Sequence, residues 1–385
     1  MAKGPRFQST GNGSFHGDYF YRQVVERGHF LVALQELIDW QGLGGHLLGS
    51  YQGRGLRGRP PYDPVLLLKM LFISYLYDVS ERQVEELATY HLAVKCFLGL
   101  AVDEPAPDHS TLTKFKNRLL KSQDWEPLRE VFEGLLRQAR GQGVEMGSLQ
   151  VLDSVHTQAD VNLLKDRDRQ DADQPPRDPD AQVVNKGKRR VVEPDGERGE
   201  RVVRYRGYKS HVAVNAATGL VTAVVPARGN TADNKAFPAV RARDRAQGLG
   251  VTTYGGDRAY DDTDIYCRLD EEGLQTAICL NDYRTQKKDA NKEPWLALEA
   301  DEAYQAAKAQ RYRVEQPFGI VKQQHGFERC RYVGLARYGI QAYLTFLVHN
   351  AKRIVKLLVG LTFRPQAKGR RKEVFTPVYA AIPWA

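Results

Sequence analysis

Two observations predict an α/β protein with a helical N-terminal part. Residues 64–140 carry capped helix patterns and no strand pattern, whereas residues 149–280 alternate short apolar runs with helical stretches. The second part reads strand, two strands, helix, strand, helix, strand, helix. That order implies a mixed sheet with helices packed against it. With 385 residues there is room for a sizeable core and two domains. The expected division is a helical part over 1–145, an α/β part over 146–362 and a basic tail over 363–385.

The first helix is expected around His29 to Trp40. Gln52 to Pro61 is basic and glycine-rich, which leaves open a flexible linker or an arm along a phosphate backbone. Pro64 to Tyr77 opens on a proline suited to a first helical turn and continues as a strongly apolar run. Ser80 with Gln83 three residues on has the form of a capping box. After Leu92 to Leu98, Pro105 and Pro107 break the chain, and Asp108 or Ser110 starts a helix to about Lys121. That helix sets Lys114, Lys116, Arg118 and Lys121 beside Leu112, Phe115 and Leu119. Short helices ending in a basic, capped one resemble helix-turn-helix architecture, so Lys114, Lys116 and Arg118 are candidate DNA contacts.

Trp125 to Arg140 is a further helix and Leu149 to Ser154 a short buried strand. Residues 165–206 are dense in charge and poor in large apolar side chains, which predicts an exposed loop. Tyr208 to Asn215 and Leu220 to Ala227 form a hairpin about Ala217-Thr218-Gly219. A helix over Asn234 to Ala246, a strand over Thr252 to Gly256, a helix over Thr263 to Glu272 and a strand over Leu274 to Leu280 follow. No internal repeat is evident.

The formal net charge of +9 favours a polyanionic partner. Cys96, Cys267, Cys279 and Cys330 are scattered with no Cys-x-x-Cys pair, which excludes a zinc module and a dense disulfide framework. The first residues lack the apolar run of a signal peptide. The stretch Gly339 to Leu361 is interrupted by His349, Asn350, Lys352, Arg353 and Lys356, so it reads as a packed amphipathic helix and no membrane partner is expected. The expected location is the cytoplasm.

Three acids stand out by placement among the 47. Asp153 follows the run Leu149-Gln150-Val151-Leu152, and Asp257 follows Thr252 to Gly256, both where strands end and loops carry function. Glu315 lies four residues after Arg311 and seven before Lys322. At about 100° per residue those spacings put all three on one helix face. A carboxylate between two cations suits a metal-bound acid beside a polyanionic substrate. Pro317 means that such a helix kinks or begins there.

These residues resemble the DDE transposases of bacterial insertion sequences, closest to the IS-five-like group. The likeness runs from about Arg59 to Leu361. It is carried by Gly58-Arg59-Pro60-Pro61-Tyr62-Asp63-Pro64, Ser80-Glu81-Arg82-Gln83 and Pro107-Asp108-His109-Ser110-Thr111 in the helical part. In the second part it is carried by Asp153 to Asp160, Arg177-Asp178-Pro179-Asp180-Ala181, Gly207-Tyr208-Lys209-Ser210-His211, Gly229 to Asp233 and Gly256 to Tyr260. It ends on the signature Tyr-x2-Arg-x3-Glu-x6-Lys, matched at Arg311, Glu315 and Lys322, with Lys308 in place of the tyrosine.

The resemblance implies a helical DNA-binding domain followed by a ribonuclease-H-like catalytic domain. It implies that Asp153, Asp257 and Glu315 are catalytic and hold two Mg²⁺ ions, Mn²⁺ substituting, while Arg311 and Lys322 hold DNA phosphates. The expected reaction is strand cleavage by water, then attack of the freed 3′-OH on target DNA. The expected partners are double-stranded DNA, as terminal inverted repeats and target, and a second copy of the chain on paired ends, in a bacterial cytoplasm at the nucleoid. Two other readings compete. A structure-specific nuclease with the same core has no need of the long helical part, and a non-catalytic DNA-binding regulator has no need of three intact acids.

Overall fold

The computed structural model describes residues 6–8, 15–51, 59–192, 198–281 and 293–363. Most of the glycine-rich arm (52–58) and the basic tail from 364 onward lie outside them.

In the helical part, Asp63 accepts a hydrogen bond from the Val65 amide and Pro64 opens the helix Pro64–Leu76. All of that helix is buried, as its unbroken apolar sequence requires. Its one charged residue, Lys69, donates to Gln35 Oε1 and to the Phe97 carbonyl and lies over the Trp40 and Phe97 rings. Burial brings that ammonium down to about 8. The expected capping box is present: Ser80 and Gln83 each cap the other's backbone amide at the start of Glu81–Tyr90. Asp108, not Ser110, caps His109–Leu119.

The sheet is mixed. Strand β1 (Leu149–Gln158) pairs antiparallel with β3 (Arg198–Asn215) and parallel with β5 (Thr253–Gly256). β3 pairs antiparallel with β4 (Val221–Arg228), and β5 parallel with β6 (Gln275–Ile278). The order β4-β3-β1-β5-β6, antiparallel then parallel, with helices in the crossovers, makes this an α/β fold of the ribonuclease-H-like kind. Side chains alternate across the faces. Val151, Val155, Val212 and Val214 join one core, whereas Leu152, Ala213 and Ala223 join a second with Phe237, Val240, Ile265 and Leu269.

The first of these cores continues into the helical part through the 25-residue helix Leu335–Val359. This helix packs on β4 and on the helices Pro64–Leu76 and Glu126–Gly141. At Gly339 the backbone approaches Trp125 so closely that a Cβ would overlap the indole, and Trp125 Nε1 donates to the Ala336 carbonyl at 2.6 Å. No described helix is long and apolar enough to cross a membrane. The Asp178-Pro179-Asp180 run ties the start of the long helix to the sheet. Buried Asp178 accepts from the Tyr208 hydroxyl and the Gly334 amide, while Asp180 accepts from the Leu335 amide and Arg228.

One expectation is overturned. Residues 165–206 are not a loop: they form most of the helix Leu163–Asp171, strand β2 (Gln182–Val192) and the first half of β3, paired antiparallel. High charge hid the strands because Lys and Arg residues interrupt any apolar alternation along them. The β-branched pairs Val183-Val184, Val191-Val192 and Val202-Val203 were the signal. Strand β1 also runs on to Gln158, past the expected end at Ser154.

Candidate active site

The sheet register brings two of the three acids together. Leu152 pairs with Gly256 across the parallel β1–β5 ladder, so Asp153 and Asp257 follow at one level on neighbouring strands, about 4.8 Å apart in the backbone. Asp153 Oδ1 accepts from the Ser154 amide at 2.7 Å. Asp257 ends its strand and caps the short turn Arg258–Tyr260 through the Ala259 amide, at 2.9 Å. Gly256 fits closely beneath it: a Cβ there would come to 3.1 Å from the Tyr260 ring, which would have to give way.

Glu315 comes from a different kind of element. The expected single helix face is corrected: Arg311 lies in a 3-10 turn, Gln310–Val314, and the α-helix Glu315–Gln324 begins at Glu315 itself. Pro317 is then in the first turn, where its missing N–H leaves no bond unmade. Arg311 nonetheless reaches Glu315 Oε1 at 3.3 Å. The Glu315 side chain is 61% exposed, so this carboxylate is open to a ligand where Asp153 and Asp257 are half-buried. Lys322 is half-buried in the last turn of the same helix.

The far end of that helix is anchored. Lys352 Nζ donates to Gln324 Oε1 at 2.6 Å and lies 3.2 Å from His325 Nε2. His325 Nδ1 donates to the Tyr75 carbonyl at 2.9 Å. Burial, then the charge of Lys352, takes the imidazole down to about 3, so it is neutral. The element that carries Glu315 is thus fixed to the long C-terminal helix and to the buried helix of the helical part.

The electrostatics show a shortage of positive charge at the aspartate pair. Burial, then the charges of Asp257 and Asp233, pushes Asp153 up to about 7, with Arg311 opposing. Burial and Asp233 raise Asp257 as well, against Arg311 and Lys209. Asp233, at the start of the helix Asp233–Ala246, is a member of this acidic cluster that residue-by-residue reasoning missed, although it closes the Gly229-to-Asp233 run. Its oxygens lie 3.3 Å from Lys209 Nζ and 3.0 Å from Nδ1 of the fully buried His211, the latter off the axis of a good hydrogen bond. Burial alone would raise its proton affinity; contacts with His211 and Ser154 and the Lys209 charge carry it well below the usual range. The fully buried Tyr260 hydroxyl has no hydrogen-bond partner, and after burial it is Asp233, Asp153 and Asp257 that oppose its ionisation.

Two half-buried carboxylates short of counter-charge, a third on an open helix end and an orphaned hydroxyl beside them fit a hydrated divalent cation. Asp153, Asp257 and Glu315 do not all come within 4.8 Å of one another. Among the described residues that closeness is reached by Glu85, Asp108 and His109. There the oxygens already serve a helix start: Asp108 caps the Ser110 amide, and Glu85 accepts from the His109 amide and lies 2.8 Å from its ring.

The other expected DNA contacts separate. Lys114 is exposed. Arg118 lies over the Tyr51 ring, 4.8 Å from its centroid. Lys116 is turned inward, against expectation, where it pairs with Glu81 and lies 4.4 Å from the Tyr332 ring centroid. The helix repeat of 3.6 explains the split, since residue 116 falls with Leu112, Phe115 and Leu119 on the buried face. Lys308, in the place of the signature tyrosine, pairs with Glu299 at 2.8 Å.

Two family models match the chain, one described as Transposase domain (DUF772) over residues 19–118 and one as Transposase DDE domain over residues 171–351. The second spans Asp257 and Glu315 and begins after Asp153. Together they cover well over half of the sequence, and the chain belongs to the DDE transposases of insertion sequences.

Proposed function

We propose that the chain is a cut-and-paste transposase that recognises the terminal inverted repeats of its element and cleaves and joins DNA strands with two Mg²⁺ ions. The observation that carries this reading is the Leu152–Gly256 pairing, which sets Asp153 and Asp257 side by side with their proton affinities raised. Asp153, Asp257 and Glu315 would hold the ions. Bound there, divalent cations supply an activated oxygen nucleophile and neutralise charge on the phosphate and the leaving oxygen.

The chain's own residues supply the rest. Arg311, tied to Glu315, and Lys322 on the same helix present positive charge to the backbone of a bound strand. Lys209 and His211 hold Asp233 ionised beneath the pair, which fixes the local field. No nucleophilic side chain is needed, because water and then the freed 3′-OH attack phosphorus. Ends are joined in pairs, so two chains act together on one target, each with its own acid set. The reading places the protein in the bacterial cytoplasm at the nucleoid, with Mn²⁺ able to replace Mg²⁺.

The test is cleavage and strand transfer on duplexes carrying the element's ends, with and without Mg²⁺. Cleavage at the end that needs the cation supports the reading, and its absence with intact DNA binding overturns it. Mass measurement of the active complex reads the assembly: one chain on one end during coupled cleavage would rule out the pair.

A further inference from the structure

β2 and the first half of β3 form a two-stranded ribbon that outruns the rest of the sheet. β1 last pairs with β3 at Gln158–Gly207 and β4 at Arg228–Tyr208, whereas β2 continues from Val183–Arg206 to Val192–Arg198. Among the described residues no third strand pairs with 198–205. The root is built into the domain: Val184 is buried, and Arg206 is held by Asp166 at 3.1 Å and by the Ala181 and Asp178 carbonyls.

Beyond the root the sequence is basic. The strands carry Lys186, Lys188, Arg189, Arg190, Arg198, Arg201 and Arg204 against Glu200, while Glu193, Asp195 and Glu197 fall in the link. The register sets Arg189 directly opposite Arg201. Like charges at directly opposed positions destabilise a ladder, and a bound anion would relieve that repulsion. By register Lys188, Arg190 and Arg198 fall at positions of the other face, where Glu200 stands opposite Arg190, so cations outnumber acids at the positions of both faces. A major groove about 12 Å wide admits a two-stranded ribbon, and it presents phosphates on both sides.

The ribbon also points the right way. β1 and β5 are parallel, Asp257 emerges at the C-terminal end of β5, and the ribbon continues past the C-terminal end of β1. Asp153 pairs with Val212. Arg204 and Arg198 then lie about 26 and 46 Å further along β3 at roughly 3.3 Å per residue. At 3.4 Å per base pair this corresponds to about 8 to 14 base pairs from a phosphate held at the acids.

We propose that the β2–β3 ribbon is a second duplex-binding element, seated in a groove of the DNA that flanks the cleaved bond. The proposal rests on the transposase reading for its substrate. Its middle makes the contact, because the acidic link would be repelled by phosphate.

The test uses the full chain and a 40-base-pair duplex of random sequence, with the variants Arg189→Gln/Arg190→Gln/Arg201→Gln and Arg189→Lys/Arg190→Lys/Arg201→Lys. Each lost phosphate contact lowers the salt slope by about 0.9. The glutamine variant should bind at least about tenfold more weakly near 0.1 M salt, with a slope shallower by roughly 2 to 3, and the lysine variant within about twofold of the parent. A glutamine variant that keeps the parental affinity and slope overturns the proposal. So does a lysine variant that falls as far, because the loss would then come from the fold and not from charge. Cleavage of end DNA by the unaltered chain is read separately. Its absence removes the transposase reading while the binding comparison still decides the ribbon.

Discussion

Asp153 and Asp257 are held by a sheet, whereas Glu315 is held by a helix that is itself held from its far end. The two aspartates follow directly on the last pair of a parallel ladder, and burial together with neighbouring carboxylates, Asp233 in both cases, raises their proton affinity. Glu315 stands exposed at a helix start, gripped by Arg311 and steadied ten residues away through Gln324, Lys352 and His325. The difference teaches that the strand-borne pair is a preformed anionic floor, while the helix-borne acid depends on remote contacts for its position.

The largest test of that contrast is removal of the acids. Asp257→Asn and Glu315→Gln should each lower end cleavage by about 10³ or more, since each acid helps to hold cations that supply several kcal/mol of transition-state stabilisation. Binding to end DNA should stay nearly intact. Stability should separate the two groups. Asp153→Asn removes a half-buried, repelled carboxylate and should raise metal-free stability by about 1–3 kcal/mol, whereas Glu315→Gln should change it by less than about 0.5. Equal stability effects in denaturant melts would remove the distinction.

Acid should loosen the helix before the floor. His325 is held down to about 3 and His349 to about 4, in both cases chiefly by burial. An unfolded imidazole takes a proton near 6.5 and these do not. Between their folded values and about 6.5 the unfolded state therefore binds more protons, and stability falls as pH falls. Together they should cost about 2–4 kcal/mol between pH 7 and pH 5. Denaturant melts measure the sum. Hydrogen exchange at the two pH values locates it, with protection expected to fall at 315–325 before β1 and β5. A flat pH profile would show that the histidines are not sealed from water.

Cutting the remote anchor should have a smaller effect. Lys352→Met leaves the acids in place but frees Gln324 and His325, so Glu315 should wander by a fraction of an ångström. Turnover should fall by about 10- to 100-fold with DNA affinity unchanged. Loss of DNA affinity in parallel would mean that Lys352 contacts the substrate instead.

Much of this was legible in the sequence, for physical reasons that differ by region. Caps, proline positions and the apolar run at 64–77 are local chemistry, and the helices formed where they said. The strands that bear Asp153 and Asp257 were legible because a buried strand must be apolar. The ribbon at 182–206 was not, since charge dominates its sequence and only the valine pairs betrayed the strands. The three acids came from spacing and from the family likeness. Asp233 did not, because its ionisation is set by Lys209, His211 and Ser154, which only the packing of the helix Asp233–Ala246 on the sheet brings beside it. The same limit explains Lys116: charge in a sequence shows that a cation exists, not which way the helix turns it.

That residue gives the mildest test, now set against its neighbour Lys114. Both are cations on one helix, two positions apart, and the fold sends one to solvent and one to an interior pair with Glu81. Lys114→Gln should cost no more than about 0.5 kcal/mol of stability, and if this face meets DNA it should lower the salt slope by about 0.9. Lys116→Gln leaves Glu81 with hydrogen bonds from Thr113 and Tyr332 but without its counter-charge, where the two side chains are only 11% and 18% exposed, so it should destabilise the fold by about 1–3 kcal/mol. Well below its melting temperature it should bind DNA with the parental slope. Thermal melts and salt titrations of the two variants read both quantities. A shallower slope for Lys116→Gln with an intact fold would put that ammonium on the DNA and reverse the assignment of the helix faces.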